Sequence, residues 1–412
     1  MVKLRKTLGP GLLVTAAFVG PGTVTTASVA GARFGYALLW ALLFSVLATI
    51  VLQEMSARLG LVTRAGLGEA LRSTFTKPWL RWCCVALVVG AIGFGNAAYE
   101  AGNIIGAAAG LEIITGIRPT IWAGVIGTAG AGLLLFGAYR VLEKILIALV
   151  LLMSLVFVAT AVIVRPDVAA IFRGMFVPSV PAGSLVTVIA LIGTTVVPYN
   201  LFLHASMVRE KWSADLPIAE ALRQSRFDTC ISIALGGVIT LAIALSAAAC
   251  FKLGTDIGSA AAMAEQLQPL LGRSAKWFFA VGLFAAGLTS TIMAPLAAAY
   301  ATAGAFGWQQ DRQSWRFRAV WASVIVAGTA FAISGAGGSP VATILFAQVA
   351  NGLILPVVAV FLLVVVNRTS LLGAHANGVI ANLMGVVVVG VVGALGAWRI
   401  VLAIGKWLEQ GS

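Results

Sequence analysis

The chain has 412 residues, of which 60% are hydrophobic and only 10% are charged. Because soluble domains carry about 25% charged residues, this composition excludes most soluble classes and predicts a protein that lies in lipid. The net charge of +13 would suggest a nucleic-acid partner in a soluble protein. Here the basic residues fall in short gaps between apolar runs, as in multi-pass membrane proteins, so we expect no nucleic-acid binding.

Eleven apolar runs of suitable length are candidate membrane spans. They cover about 8–32, 37–57, 79–109, 119–137, 142–164, 184–207, 228–251, 275–304, 317–335, 340–366 and 377–405. Since backbone polar groups must be paired in hydrocarbon and the runs lack barrel-like alternation, each span is predicted to be a helix. The longest loop, about 209–227, cannot hold a soluble domain. The sequence therefore predicts an all-α integral membrane protein with a single transmembrane domain over residues 1–412.

The basic residues predict an orientation. With the N-terminus inside, alternating loops place 18 of the 27 lysines and arginines on the inner side. This excess predicts a cytoplasmic N-terminus, and the odd number of spans then puts the C-terminus outside. No organelle-targeting segment is visible, so we expect the plasma membrane of a prokaryote.

Two spans are interrupted by proline at matching places. The first span contains Gly20-Pro21-Gly22-Thr23 and the sixth contains Val197-Pro198-Tyr199-Asn200, with 177 positions between the two prolines. Proline removes a backbone donor and breaks the helix, and freed backbone groups are tolerated at membrane depth only inside protein or beside a cavity. Paired interruptions in two halves indicate the substrate site of a transporter built from inverted repeats. A pair of packing kinks remains the alternative.

Two stretches of the chain resemble the signature regions of NRAMP metal-ion transporters: GPGLLVTAAFVGPGTVTTASVAGARFGYALLW in the first two spans and VVPYNLFLHAS in the sixth. The likeness continues through 53–60, 105–116 and Gln348, and so covers most of the chain. It implies a LeuT-type fold with two inverted five-helix repeats, about 8–164 and about 184–366, and one additional helix at about 377–405. It also implies alternating access and, in typical members, proton-coupled uptake of manganese or iron.

The chain departs from the family pattern at both breaks. Typical members have Asp-Pro-Gly-Asn where this chain has Gly20-Pro21-Gly22-Thr23, and Met-Pro-His where it has Val197-Pro198-Tyr199. A thioether favours soft metals, so Val197 removes one basis for preferring manganese or iron. Gly20 supplies only backbone where the family has a carboxylate. We therefore expect altered selectivity, towards hard or hydrated ions such as magnesium, which gives up water reluctantly.

The groups that remain at the predicted site are neutral. The predicted substrate-binding residues are Gly20, Thr23, Thr194, Val197, Tyr199, Asn200, Gln348 and Asn351, and the candidate metal ligands among them are Gly20, Thr23, Thr194 and Gln348. Half-helix C-termini attract cations and half-helix N-termini attract anions. A small neutral or anionic organic solute therefore stays open as the alternative cargo.

Two ionisable residues are candidates for a proton or ion relay. Glu100 is the only carboxylate near mid-membrane, where an ionisable group is expensive and a functional candidate by default. It aligns with an acidic residue of the proton route in typical members, but the next acidic position is Asn103 here, so we expect weak or absent proton coupling. Its structural alternative is an ion pair with Arg316 or Arg318.

His204 matches a histidine of the family motif and has a reference pKa near physiological pH. Its structural alternative is a core histidine that bonds to neighbouring backbone groups. Nearby on the second span, Glu54 and Arg58 are four residues apart, and a local ion pair is expected there. No nucleotide-binding, metalloprotease or nucleophile motif occurs, so we expect neither an enzyme nor a cofactor.

Overall fold

The computed structural model describes residues 9–11, 14–15, 19–75, 77–137 and 139–410. Within these ranges the secondary structure is helical, without strands. Ten stretches of the described chain are long and apolar enough to cross a membrane, and they correspond to the second to eleventh predicted spans. The first predicted span lies partly outside the described residues, and its second half forms helix α1 (Pro21–Phe34).

The first half of the chain continues with long helices joined by short connections. They are α2 (Leu39–Thr63), α3 (Leu67–Thr74), α4 (Pro78–Thr115), α5 (Pro119–Phe136) and α6 (Tyr139–Ile163). Helices α1, α4 and α5 each begin with a proline, whose missing N–H would have no acceptor in the first turn. The short helix α7 (Val168–Phe176) leads to the second half, and Asp167 caps it by accepting from two of its N–H groups.

The second half opens on the interrupted sixth span. Its helices are α8 (Leu185–Thr195), α9 (Pro198–Lys211), α10 (Ile218–Cys250), α11 (Ala260–Ala264), α12 (Gln268–Leu271), α13 (Ala275–Phe306), α14 (Trp315–Ser334), α15 (Pro340–Val366), α16 (Thr369–Leu372) and α17 (Val379–Gln410). The most apolar part of α8 and α9 is 94% buried, whereas that of α17 is 28% buried. The broken span therefore lies at the centre of the molecule and α17 at its periphery.

Close backbone approaches at glycine hold α8 in place. A Cβ at Gly352 of α15 would lie 2.6 Å from the carbonyl oxygen of Ile189, and a Cβ at Gly193 would overlap the carbonyl of Gln348. Small residues let membrane helices pack at such short distances. The end of α8 is consequently fixed against the middle of α15.

The start of the first span is tied to α10 by a buried carboxylate. The N–H of Gly9 donates to Asp228 Oδ1 at 2.9 Å, and the N–H of Gly11 donates to Oδ2 at 2.7 Å. Helix N-termini have N–H groups without helical acceptors, and an acidic group there is stabilising. Asp228 thus positions the segment that leads to the first break.

Candidate functional site

Both predicted interruptions are present where the structure describes them. Helix α1 begins at Pro21 after an extended Gly20 (φ −119°, ψ −169°), and α9 begins at Pro198 after an extended Val197 (φ −76°, ψ 120°). Neither N-terminus has a side-chain cap, so the first N–H groups of both helices point out of the helix. Because Pro198 has no N–H, the carbonyl of Thr194 lacks its usual helical donor.

Thr23 and Thr194 join the two interruptions. Their hydroxyl oxygens are 2.9 Å apart, although 171 positions separate the residues in the chain. Both side chains are fully buried. The pair links the first turn of α1 to the end of α8, and so brings two of the predicted site residues together.

Gln348 lies between the same two elements. Its side chain lies against Gly22 of α1, where an added Cβ would overlap the amide, while its carbonyl lies against Gly193 of α8. Gln348 is buried, and neither atom of its amide has a hydrogen-bond partner among the residues the structure describes. Asn200, in the first turn of α9, is buried with the same two amide atoms unpartnered in the described chain. These amides are available to a ligand or to water.

Tyr99 and Ser290 also belong to this region, and neither was predicted from the sequence. A Cβ at Gly20 would lie 3.0 Å from Ser290 Oγ and 3.9 Å from the Tyr99 hydroxyl. The Tyr99 ring packs edge-on against Tyr199, with centroids 5.4 Å apart. Two features of the sequence could have indicated them. Residues 289–291 all carry hydroxyl groups within an apolar span, and Tyr99 directly precedes Glu100, the carboxylate predicted to lie near mid-membrane.

Asn351 and Val197 occupy the edge of the site. A Cβ at Gly95 of α4 would lie 3.7 Å from Asn351 Oδ1, so this side chain faces α4. Val197 is buried and presents only an aliphatic side chain at the start of α9. In the described part of the chain, no three His, Cys, Asp or Glu side chains come together as metal ligands. The site therefore offers hydroxyls, amides and backbone groups.

Glu100 is fully buried in α4 and faces α14, where a Cβ at Gly328 would lie 2.7 Å from its Cγ. Asn103 Nδ2 donates to its Oε2 at 3.4 Å, and its Oε1 has no partner within the described ranges. The predicted alternative, an ion pair with Arg316 or Arg318, was wrong. Arg316 stacks over two tryptophan rings and Arg318 donates to Gln313, because both arginines lie near the end of α14, where water can solvate them.

His204 links α9 to α2. Its Nδ1 is 2.9 Å from Gln53 Oε1, and its Nε2 has no partner among the described groups. The structural alternative predicted bonds to backbone groups, but the partner of Nδ1 is a side chain. A relay role for His204 stays a prediction.

Comparison with known proteins gives the family. The sequence profile of the natural resistance-associated macrophage protein-like family, Nramp, matches residues 11–402. The divalent metal cation transporter MntH of Yersinia pestis (strain Pestoides F) is 30% identical over 299 residues, which cover 70% of this chain and 70% of that protein.

Solved structures share the fold. The Eremococcus coleocola manganese transporter superposes with a TM-score of 0.75 at 24% identity, covering 94% of this chain and 84% of that one. MhsT in complex with L-phenylalanine has a TM-score of 0.61 at 18% identity, covering 94% and 98%. The architecture is the predicted LeuT-type fold. The match over almost the whole chain shows that this protein belongs to the Nramp family, whose members are membrane transporters and not enzymes.

Proposed function

We propose that the protein is a secondary transporter that moves a divalent metal cation by alternating access, and that the cation keeps much of its water shell. The names of its relatives, a divalent metal cation transporter and a manganese transporter, support the cargo class. The observation that carries the proposal is the buried Thr23–Thr194 pair, which joins the two helix breaks beside the unpartnered amide of Gln348.

The chemistry of the site favours a hydrated ion. A divalent cation that loses its water needs charged ligands to offset the cost of dehydration, and Gly20 and Val197 provide neither carboxylate nor thioether. Hydroxyls and amides can both donate to and accept from a shell of bound water. Thr23, Thr194 and Gln348 would then contact the ion through that shell, and the carbonyl of Thr194 would face its positive charge.

Proton coupling is proposed to be weak or absent. Glu100 faces α14, and its nearest polar partner is the neutral Asn103. A relay needs a series of titratable groups, and Asn103 cannot pass on a proton as a carboxylate does. The proposed location is the plasma membrane of a prokaryote, with the N-terminus cytoplasmic and the C-terminus outside.

Uptake into sealed proteoliposomes tests this function. Magnesium and manganese uptake is measured with an interior fluorescent reporter, with and without a pH gradient, for the wild type, Thr23→Val and Gln348→Ala. The control is Thr240→Val, because this buried hydroxyl only donates to the carbonyl of Gly236 in its own helix. We expect saturable magnesium uptake that falls about tenfold in both site variants and is unchanged in the control.

A pH gradient should change the uptake rate little. Absence of flux for both ions, or equal rates in Thr23→Val and Thr240→Val, would contradict the proposed site.

A small neutral or anionic organic solute is the second candidate. The uncapped N-termini of α1 and α9 favour a negatively charged group, and the Tyr99–Tyr199 pair offers an aromatic surface. The MhsT structure with L-phenylalanine shows that the same fold holds an amino acid in that protein. Thermal stabilisation of the purified protein by a panel of solutes, without stabilisation by divalent metals, would support this candidate. Stabilisation by metals alone would reject it.

A further inference from the structure

A cavity of about 410 Å³ lies where the inner half of α2 meets the start of α17, away from the helix breaks. Six of its lining residues matter here: Glu54, Arg58, Arg226, His375, Gly378 and Ala381. By the predicted orientation this is the cytoplasmic side.

The cavity carries a net positive charge. The predicted pair of Glu54 and Arg58 is confirmed at 3.3 Å, and Arg226 binds the other oxygen of Glu54 at 2.9 Å. Two guanidinium groups thus share one carboxylate. Arg226 uses its Nε for this bond and its side chain is 56% exposed, so its two terminal nitrogens are available to an anion in the cavity.

Arg58 is buried and still has an unused donor. Its terminal nitrogens donate to the carbonyl of His375 at 2.8 Å and to Asn377 Oδ1 at 2.6 Å. The residue is 6% exposed, yet its Nε has no partner among the described residues. A buried charged donor without an acceptor is costly. Arg58 lines the cavity, so its guanidinium group contributes positive charge to the cavity wall.

The N-terminus of α17 adds to the positive potential. The first helical bond runs from the N–H of Asn382 to the carbonyl of Gly378 at 3.0 Å. The N–H groups of residues 379–381 therefore have no helical acceptor. Gly378 and Ala381 line the cavity, and helix N-termini of this kind bind phosphate and other anions.

We propose that this cavity binds a phosphate group, and that the phosphate belongs to the headgroup of an anionic lipid. Val379 and Ile380 begin α17 with exposed fractions of 85% and 76%, so an apolar surface suited to acyl chains lies directly beside the cavity. Basic pockets between membrane helices on the cytoplasmic side bind such headgroups. The bound lipid would tie α17 to α2 and α10. This site is independent of the proposed cation transport.

Lipid binding to the purified full-length protein tests the proposal. Phosphatidylglycerol and phosphatidylcholine are titrated against delipidated protein in neutral detergent, and bound lipid is counted by native mass spectrometry. We compare Arg226→Gln with Arg223→Gln, because Arg223 lies one turn earlier on the same helix, is exposed and does not line the cavity. Removing one basic residue should weaken phosphatidylglycerol binding about fivefold in Arg226→Gln and leave Arg223→Gln unchanged.

A second variant distinguishes a loss of lipid binding from a loss of folding. Ala381→Asp places a negative charge in the first turn of α17, where it favours the helix but repels phosphate. We expect thermal stability without lipid that is no lower than that of the wild type, and weaker phosphatidylglycerol binding. Phosphatidylglycerol binding no stronger than phosphatidylcholine binding, or equal in the wild type and both cavity variants, would overturn the proposal. Stabilisation by soluble glycerol phosphate alone would overturn the lipid assignment.

Discussion

Gly20 stands where typical Nramp members carry a carboxylate, and its surroundings show how a charge could be restored. An added Cβ would lie 3.0 Å from Ser290 Oγ, so the hydroxyl would have to move by a few tenths of an ångström, and removing it makes room. Gly20 also caps α1 in an extended conformation, which suits aspartate at that position. We predict that Gly20→Asp in a Ser290→Ala background binds manganese at least tenfold more tightly than Ser290→Ala alone, as measured by calorimetry. Equal affinities would show that position 20 does not face the ion.

Gly106 is predicted to be intolerant of a side chain. An added Cβ would overlap the ring of Pro21, which begins α1. Overpacking of this kind costs about 1–3 kcal/mol, so Gly106→Ala should lower the thermal unfolding midpoint and disturb the first break. Gly90, on the same helix, has open space around its Cβ position, and alanine favours helix over glycine. Gly90→Ala should therefore be neutral or stabilising, and a similar loss in both variants would contradict the account.

Individual site residues could be predicted only where a local signal marked them. Proline marked the breaks and drew attention to the neighbouring Thr23 and Thr194, whose hydroxyl oxygens lie 2.9 Å apart in the structure. Ser290 reaches the site because α13 packs against the first break, a tertiary contact that hydropathy does not encode. The predicted ion pair between Glu100 and an arginine was wrong because it was inferred from opposite charge alone. Arg316 is instead held near the start of α14 by two aromatic rings.

At the scale of elements, the first span depends on Asp228. Its carboxylate accepts from two backbone N–H groups of the N-terminal segment, at 2.9 and 2.7 Å, and it is fully buried. Asparagine in its place would turn an NH₂ group towards one of these donors. Since hydrogen bonds to charged groups contribute about 1.5–3 kcal/mol, Asp228→Asn should expose the amides of residues 9 and 11 to hydrogen exchange. Asp215→Asn, in an exposed loop, is the control and should leave their protection unchanged.

Long apolar helices were predictable, but short ones were not. The membrane requires about 20 apolar residues for each span, so composition alone located α2, α4 and the other spanning helices. Helices α7 and α11 are too short for that signal. The sequence nevertheless contains an N-cap residue before each of them, because Asp167 and Ser259 both accept hydrogen bonds from the first turn of the helix that follows.

For the whole molecule, the charge bias predicts that the two termini lie on opposite sides of the membrane. An epitope tag at the N-terminus should be protected from protease in intact spheroplasts, and one at the C-terminus should be cleaved. Both tags should be cleaved after the membrane is permeabilised, which controls for accessibility. Protection of both tags, or cleavage of both before permeabilisation, would contradict an odd number of spans.

The all-helical membrane architecture could be predicted because lipid leaves few options for a chain of this composition, and the two breaks indicated repeated halves. The LeuT-type fold itself was implied by the resemblance to the NRAMP signature regions. Selectivity could not be predicted to the same extent. It depends on whether Gln348, Asn200 and the threonine pair meet a bare ion, a hydrated ion or an organic solute. These neutral groups can bond to each of the three.

The most direct test of the central claim is competition by hexaamminecobalt(III), a complex that resembles a hydrated magnesium ion and does not exchange its inner ligands. Magnesium uptake into proteoliposomes is measured at increasing concentrations of the complex for the wild type and Gln348→Ala. If a hydrated cation is held by neutral side chains at the two breaks, the complex should inhibit the wild type and inhibit residual uptake by Gln348→Ala about tenfold more weakly. Inhibition by manganese but not by the complex would mean that the protein contacts a dehydrated ion, and would contradict the account.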